Sequence, residues 1–579
     1  PSRAVTHIQN TAPAPPAETA ATTPAPVPGS PDYPLHSEKT IGAYFRDQVA
    51  AGPDHEFVVY PDRALRWTYR DFDERTDNLA RGLLAIGMRP GDHLGVWARN
   101  IPDWLTFMYA SAKIGVVMVT VNPVYKSHEL DYVLKQSDMK ALCVIDAYRD
   151  VDYLQIIRDL VPESLNVQRG FLHSEEYPFL ENLIYMGPEK HRGFYSVPEL
   201  LLLGQHKPDS SLEWAQGQFD NNDVVMMQYT SGTTGFPKGV MLTHRNILNN
   251  GFYIGEGQKL GAEDRVCLPV PFFHCFGCVL GVMANLTHRS TMIIVEDFDA
   301  GLVLQAIHKE RATSVYGVPT MFIAELNHPD FATFDLTSLR TGIMAGSPCP
   351  PETMREVMDK MYMKEITICY GLTETSPVFT QTSVDDDIPH KCETVGRAHP
   401  PVEVRVLDVN DGHICAPGEH GELCCKGYNV MKGYYKMPEE TAKAIDANGF
   451  LHSGDMGTVD EDGYFRVTGR IKDMIIRGGE NLSAREIDDN LVGCPGVGES
   501  ATIGMPDDRL GERICTFVAP LGDTVPTLES VTAYLEGEGV PKRLWPERIE
   551  IIDEIPVTAT GKVKRFILAQ ILKERMEAE

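Results

Sequence analysis

The chain has 579 residues, 43% hydrophobic, 8% aromatic and 23% charged, with a formal charge of −28. So long a chain exceeds what one core can organise and should divide into several. The charge argues against nucleic acid and against anionic lipid as main partners, because the overall field repels phosphate backbones. No apolar run approaches the roughly 18 residues that would cross a bilayer, which leaves only a peripheral membrane contact open.

Residues 1–35 are rich in Pro, Ala and Thr and nearly free of charge. They bury too little apolar area to order themselves and read as a flexible tail. Arg3 is their one Lys or Arg, which does not suit an Arg-rich mitochondrial presequence. Order is expected from about Ile41. A strand at 65–68 leads to Thr68, which can cap a helix in which Phe72, Leu79, Leu83 and Ile86 recur at helical spacing until Gly87. Next come a strand at 93–98, a helix at 101–114 and a strand at 116–121. Strands alternating with helices predict parallel pairing and an α/β fold. The polar stretch 166–219 gives no assignable pattern.

The apolar run 224–227 predicts a buried strand, and it ends at Tyr229-Thr230-Ser231-Gly232-Thr233-Thr234-Gly235-Phe236-Pro237-Lys238-Gly239-Val240. Glycines that let backbone approach closely, converging hydroxyls and a cation at Lys238 suit a polyphosphate. A strand end is where open α/β sheets place ligands. It is not the common G-x-x-x-x-G-K-[ST] loop, because Pro237 precedes the lysine and Gly239 comes after it.

A helix should open at Thr243. The stretch 269–277 predicts a strand running into an apolar helix; His274 within it would by default be a hydrogen-bonded core histidine. Cys275 and Cys278 have redox or metal spacing but lie in an apolar stretch with no second pair, so core packing is favoured. The twelve cysteines are scattered, as in a reducing compartment, and a cytoplasmic location is expected. Residues 313–320 predict a strand with Gly317 inside it, a sign of close backbone approach. Ala345-Gly346-Ser347-Pro348 is either a plain β-turn or a ligand border, and its residues do not decide between them.

Tyr370-Gly371-Leu372-Thr373-Glu374-Thr375-Ser376-Pro377 is more specific. A carboxylate at a phosphate site would repel the nucleotide unless a divalent cation lay between, so Glu374 is assigned to magnesium, Thr373 to the phosphates and Tyr370 to the adenine face. After Asp473 the strand and helix pattern changes to a small α+β unit: a strand at 474–477, a turn at 478–481 and a helix capped by Ser483 with Glu486. Apolar strands at 500–503, 514–518 and 549–552 and a helix at 528–535 complete it.

The dodecapeptide at 229–240, the segment at 370–377, His452-Ser453-Gly454-Asp455, Gly469-Arg470-Ile471-Lys472-Asp473 and Thr560-Gly561-Lys562 together resemble the adenylate-forming (AMP-binding) acyl-CoA synthetase superfamily. Met474 to Asn481 and Ala345 to Pro351 are most similar to the medium-chain fatty acyl-CoA synthetases. The resemblance implies a large adenylation domain at 36–469, a hinge at 470–473 with Lys472 as pivot, and a small mobile domain at 474–579. It implies Asp455 and Arg470 on the ribose, Lys562 as catalytic lysine with Lys238, Glu374 and His274, and Thr234 beside Glu374 on the metal. Thr230, Ser231, Gly232, Thr233, Gly235, Gly346, Ser347 and Gly371 would border the nucleotide, and Gly479 a pantetheine channel. His274, Cys278, Gly317, Gly346 and Pro377 would border the acyl chain.

The expected activity is ATP- and Mg2+-dependent ligation of a carboxylic acid, a medium- to long-chain fatty acid, to coenzyme A through acyl-AMP. Alternatives are an aryl- or dicarboxylate-CoA ligase, an acyl-AMP ligase loading a carrier protein and, more remotely, a silent nucleotide or acyl sensor. A silent sensor would be expected to have lost one of Lys238, Glu374, Asp455, Arg470 and Lys562, and none is missing. Homo-oligomerisation is left open.

Overall fold

The computed structural model describes residues 34–230, 237–478, 480–507, 509–522, 524–557 and 563–578. The strands that carry the site are β1 (Val224–Thr230), β2 (Lys238–Thr243), β3 (Glu365–Gly371), β4 (Val378–Gln381), β5 (Gly433–Tyr434), β6 (Leu451–Val459) and β7 (Phe465–Arg470). Two helices matter beside them, α1 (His244–Gln258) and α2 (Pro438–Ala444).

Two large sheets, of nine and eight strands, form the body. Their interiors are parallel; both margins of the nine-stranded sheet and one margin of the eight-stranded sheet are antiparallel. Strands covered on both faces read as nearly continuous apolar runs, and Val117–Val121 and Thr341–Ala345, each with a single threonine, are buried at every position. The eight-stranded sheet turns antiparallel at the β1/β2 hairpin, and β5 adds to its edge beyond β2. The nine-stranded sheet turns antiparallel at β3/β4. Each hairpin therefore stands at a margin, where loops can face a ligand.

Helix α1 ties these margins together. Thr243 and Asn246 form its capping box, and Asn246, Asn249 and Asn250 are buried among apolar neighbours. A buried amide must be bonded at both ends. Asn250 meets this by donating to Val378 O at 2.7 Å and accepting from Val378 N at 3.1 Å, so the helix leaving β2 grips the first residue of β4.

A four-stranded antiparallel sheet carries β6 and β7. A separate five-stranded sheet begins at Met474–Arg477 and ends with Arg548–Ile551, which pairs in parallel with Gly511–Pro520. Small apolar clusters of its own support it, one around Phe517 and Leu568, another around Ile475 and Ile487.

Several local readings change. Gly317 ends its strand rather than lying in the middle of it: the strand is Ser314–Gly317 and Pro319 begins a helix, with φ of the proline ring already suited to a first helical turn. The strand expected at 269–277 stops at Leu268, because Pro269 and Pro271 cannot donate to a central ladder. Beyond Cys275 the chain winds into a π-helix, Phe276–Met283. The unassigned stretch holds strands Asn182–Tyr185 and Phe194–Ser196 and helices Val197–Gln205 and Ser210–Gln216. Contacts begin before Ile41: Tyr253 donates to Pro34 O at 3.2 Å and His36 stacks on Phe252 at 3.6 Å.

Candidate active site

Across the β1/β2 ladder Thr230 is the direct partner of Lys238, so both ends of the hydroxyl-rich stretch meet. Ser231, Gly232, Thr233, Thr234 and Gly235 lie outside the described residues, as do Gly479 and Lys562. Lys238 has 14% of its side chain exposed and is ion-paired with Glu440 on α2. Its ammonium also lies 4.9 Å from the centre of the Tyr434 ring. The register explains this, since Tyr434 pairs with Val240, two residues along β2 on the same face as Lys238.

Tyr434 reaches the second margin as well, donating its hydroxyl to Glu374 Oε1 at 2.8 Å. Glu374 is held in the 3₁₀ turn Thr373–Thr375 between β3 and β4, where Met431 N donates to its carbonyl at 2.9 Å. Gly371 makes the turn feasible, because a Cβ there would overlap the carbonyl oxygen of Pro377, which accepts from Leu372 N at 2.9 Å.

The hydroxyl of Tyr370, at the end of β3, donates to Asp455 Oδ2 at 2.8 Å. Burial, and then the Asp455 charge, push its phenol pKa well up. Asp455 on β6 is 4% exposed and faces Arg470 directly across the β6/β7 ladder. Arg470 Nε lies 2.9 Å from Asp455 Oδ1, yet the approach is not aligned for a hydrogen bond, and that buried oxygen has no donor among the described residues.

His274 accepts from Phe276 N on Nδ1 at 3.1 Å, which puts its proton on Nε2. Burial lowers its pKa to about 4, so the ring is neutral at physiological pH. Next to it Cys275 Sγ lies 3.7 Å from Thr373 Oγ1, joining this loop to the Glu374 turn. Gly346 adopts φ +89°, a conformation glycine takes without strain, and a Cβ there would stand 3.1 Å from Val318 and 3.8 Å from Phe276. The Ala345 to Pro348 turn, the end of the Gly317 strand and the π-helix thus converge, with Ser347 half-buried on that turn. Cys278 is wholly buried, its sulfur 2.9 Å from Gln228 Nε2 and 3.6 Å from Met226 Sδ of β1. Lys472 is exposed in the turn Ile471–Asp473, and Asp473 lies 3.6 Å from Arg565.

Glu422, Cys424 and His452 also cluster, but their polar atoms satisfy one another. His452 Nδ1 lies 2.7 Å from Glu422 Oε2 and 3.4 Å from Cys424 Sγ, and Gly454 N donates to Glu422 Oε1 at 2.8 Å. The trio braces the strand that presents Asp455. Three residues of the site have no signature in the sequence: Asn250, Tyr434 and Glu440. Their roles arise from register and distant packing, which no local spacing encodes.

A family model described as AMP-binding enzyme matches residues 45–435, and one described as AMP-binding enzyme C-terminal domain matches 486–562. A putative acyl-CoA synthetase of Bacillus subtilis, YngI, is 47% identical over 93% of this chain and 97% of its own. The mitochondrial medium-chain acyl-CoA ligase ACSF2 of Bos taurus is 37% identical over 94% of this chain and 89% of its own. The ATP-bound crystal structure of MatB from Rhodopseudomonas palustris superposes with a TM-score of 0.79 at 26% identity, covering 92% of this chain and 99% of that one.

Proposed function

From the premise that the chain belongs to the AMP-binding enzyme family and is an AMP-forming acyl-CoA ligase with ATP and coenzyme A as substrates, we propose that its acid is a medium- to long-chain fatty acid and that one site serves two reactions in turn. The observation that carries the site assignment is the Tyr370–Asp455 bond, which joins motifs 85 positions apart and leaves Asp455 Oδ1 without a donor among the described residues. A buried acceptor without a donor is costly, and a ribose hydroxyl would satisfy it. Arg470, poised beside the same oxygen, would hold the sugar or a phosphate, and Tyr370 would face the adenine.

Attack by the acid's oxygen on the α-phosphorus breaks the bond to the β-phosphate and builds negative charge on the phosphate oxygens. Catalysis is then mainly positioning plus fixed cations. Lys238 and Thr230 would hold the departing pyrophosphate and Lys562 would neutralise charge at the α-phosphate. Glu374, a half-buried hard oxygen donor that shares Tyr434 with Lys238, fits a divalent ion, and the resemblance would add Thr234 to it. Magnesium bound there would supply charge neutralisation on the phosphates. The neutral His274 would border the carboxylate without adding charge. The apolar π-helix beyond it suits an alkyl tail, and the relatives named medium-chain ligases support that acid class.

For thioester formation the lysine-bearing segment would have to leave the carbonyl. The turn Ile471–Asp473 is where the chain would pivot, so that the face with Gly479 guides pantetheine. The test has two parts. ATP–pyrophosphate exchange over fatty, aryl and dicarboxylic acids should be strongest with medium or long fatty acids, and a preference for an aryl or dicarboxylic acid would replace the proposed substrate. Lys562→Ala should suppress acyl-adenylate formation while sparing thioester formation from supplied acyl-adenylate, and Lys472→Pro should do the reverse; equal loss of both steps in each variant would remove the two-face scheme.

A further inference from the structure

We propose that Glu440 is a stand-in for the nucleotide's phosphate at Lys238, and that Tyr434 is the positioning residue that holds Lys238 and Glu374 ready for the exchange. The inference deepens the ligase reading and rests on it. Lys238 is the cation of the phosphate stretch, yet here it is paired with the Glu440 carboxylate while resting on the Tyr434 ring. A carboxylate and a phosphate oxygen cannot both press on one ammonium without repelling each other. In this scheme the arriving nucleotide therefore turns Glu440 away.

The helix that carries Glu440 is built to let it go. Glu440 already has a second partner, Lys443, at 2.7 Å, whose side chain is 72% exposed, so the carboxylate can leave Lys238 without becoming an unpaired charge. No residue of α2 is buried. A cleft of about 500 Å³ lies alongside it, bordered by Met241, Tyr434, Met437, Ala442 and Ile445, and the Glu440 side chain can swing towards Lys443 while Thr441 keeps the helix on β5, its hydroxyl accepting from Tyr434 N at 2.9 Å. Tyr434 does not move with α2 in this scheme. It is fixed by the β2/β5 ladder, and its hydroxyl on Glu374 Oε1 leaves that carboxylate a second oxygen for a divalent ion.

Steady-state ATP–pyrophosphate exchange by the full-length enzyme, with an acid that the wild type accepts, tests this. Glu440→Gln keeps shape but removes the competing charge. KM for MgATP should fall about two- to fivefold, the range expected when a partly exposed ion pair no longer has to be broken. Inhibition by pyrophosphate should tighten by a similar factor, and kcat should not rise. A purely structural role for the Lys238–Glu440 pair would move KM upward or leave it unchanged, and either result overturns the proposal.

Tyr434→Phe keeps the ring under Lys238 and removes only the hydroxyl. It should raise the Mg2+ concentration for half-maximal rate about two- to fivefold with little change in KM for ATP at saturating Mg2+; an unchanged Mg2+ dependence would remove Tyr434 from the scheme. Should Glu440→Gln fail to fold, Lys443→Gln on the exposed side of the helix gives the opposite readout. It leaves Glu440 with Lys238 alone, so KM for MgATP should rise, and a fall or no change overturns the proposal. If the wild type itself shows no exchange with any acid, the ligase reading fails and this inference with it. Exchange by the wild type with unaltered kinetics in the variants defeats the inference alone.

Discussion

Asp455 holds one oxygen against the Tyr370 hydroxyl at 2.8 Å and leaves the other without a donor among the described residues, in a position 4% exposed. The Arg470 guanidinium 2.9 Å away offsets its charge, and a ligand hydroxyl would supply the missing hydrogen bond. Asp455→Asn preserves size but removes the charge that Arg470 faces and halves the acceptor capacity, so KM for ATP should rise about ten- to a hundredfold, corresponding to loss of a hydrogen bond to a charged group. Exchange kinetics at varied ATP, read beside the thermal midpoint, check this. A KM within about twofold of wild type would remove the ribose role. Asp455, Arg470, Glu374 and Tyr370 were legible as candidates because each stands in a short run whose order is informative. Glu440 was not, since it meets Lys238 across 202 positions and its own surroundings, Pro438-Glu439-Glu440-Thr441, read as an ordinary acidic helix start.

Among the elements, those with clear periodicity were readable. The helix Tyr69–Ala85 starts at its Thr68 cap, and Val117–Val121 forms where the apolar run requires a strand. What failed had a physical reason. Prolines at 269 and 271 outweighed the β propensity of their neighbours, and Pro319 turned the chain into a helix where Thr and Val residues alone argued for more strand. The antiparallel turn at the margin of each large sheet was also invisible, because pairing direction depends on tertiary closure. The β3/β4 hairpin illustrates how closely such a turn is specified. Gly371 lies where any Cβ would enter the Pro377 carbonyl, with backbone rather than flexible side chain in the way. Gly371→Ala should therefore cost about 3 kcal/mol or more and displace Glu374 even in the molecules that fold. A fall in thermal midpoint with loss of exchange activity is expected, and a variant with wild-type midpoint and activity would show that the hairpin yields more easily than its contacts imply.

For the molecule as a whole, acid should be the sensitive side, and buried imidazoles give part of the reason. His244 and His399 are 0% and 4% exposed, and burial lowers each pKa from 6.5 to about 3. His399 shares a hydrogen bond with Gln381 through Nε2 at 3.1 Å, so its Nδ1 would take the added proton, and that atom is buried with no acceptor among the described residues. His244 Nδ1 accepts from Ile41 N at 3.2 Å, a bond that protonation there would abolish. The folded state resists protonation until about pH 3, whereas the unfolded chain takes the protons near pH 6.5. Stability is therefore flat in this respect above about 6.5 and declines as pH falls towards about 3, at about 1.4 kcal/mol per pH unit for each such histidine. The net charge of −28 acts in the opposite sense, since titrating carboxylates relieves self-repulsion as pH falls. Wild type alone thus cannot isolate the histidine contribution, but a difference can. His399→Gln keeps a donor for Gln381 and removes the titrating atom, so its unfolding midpoint should depend less steeply on pH between about 6.5 and about 4 than that of the wild type, whatever its midpoint in mild alkali. Parallel curves for the two proteins across that window would mean that His399 takes up its proton without cost, and that any acid limb has another source, the buried His244 among them.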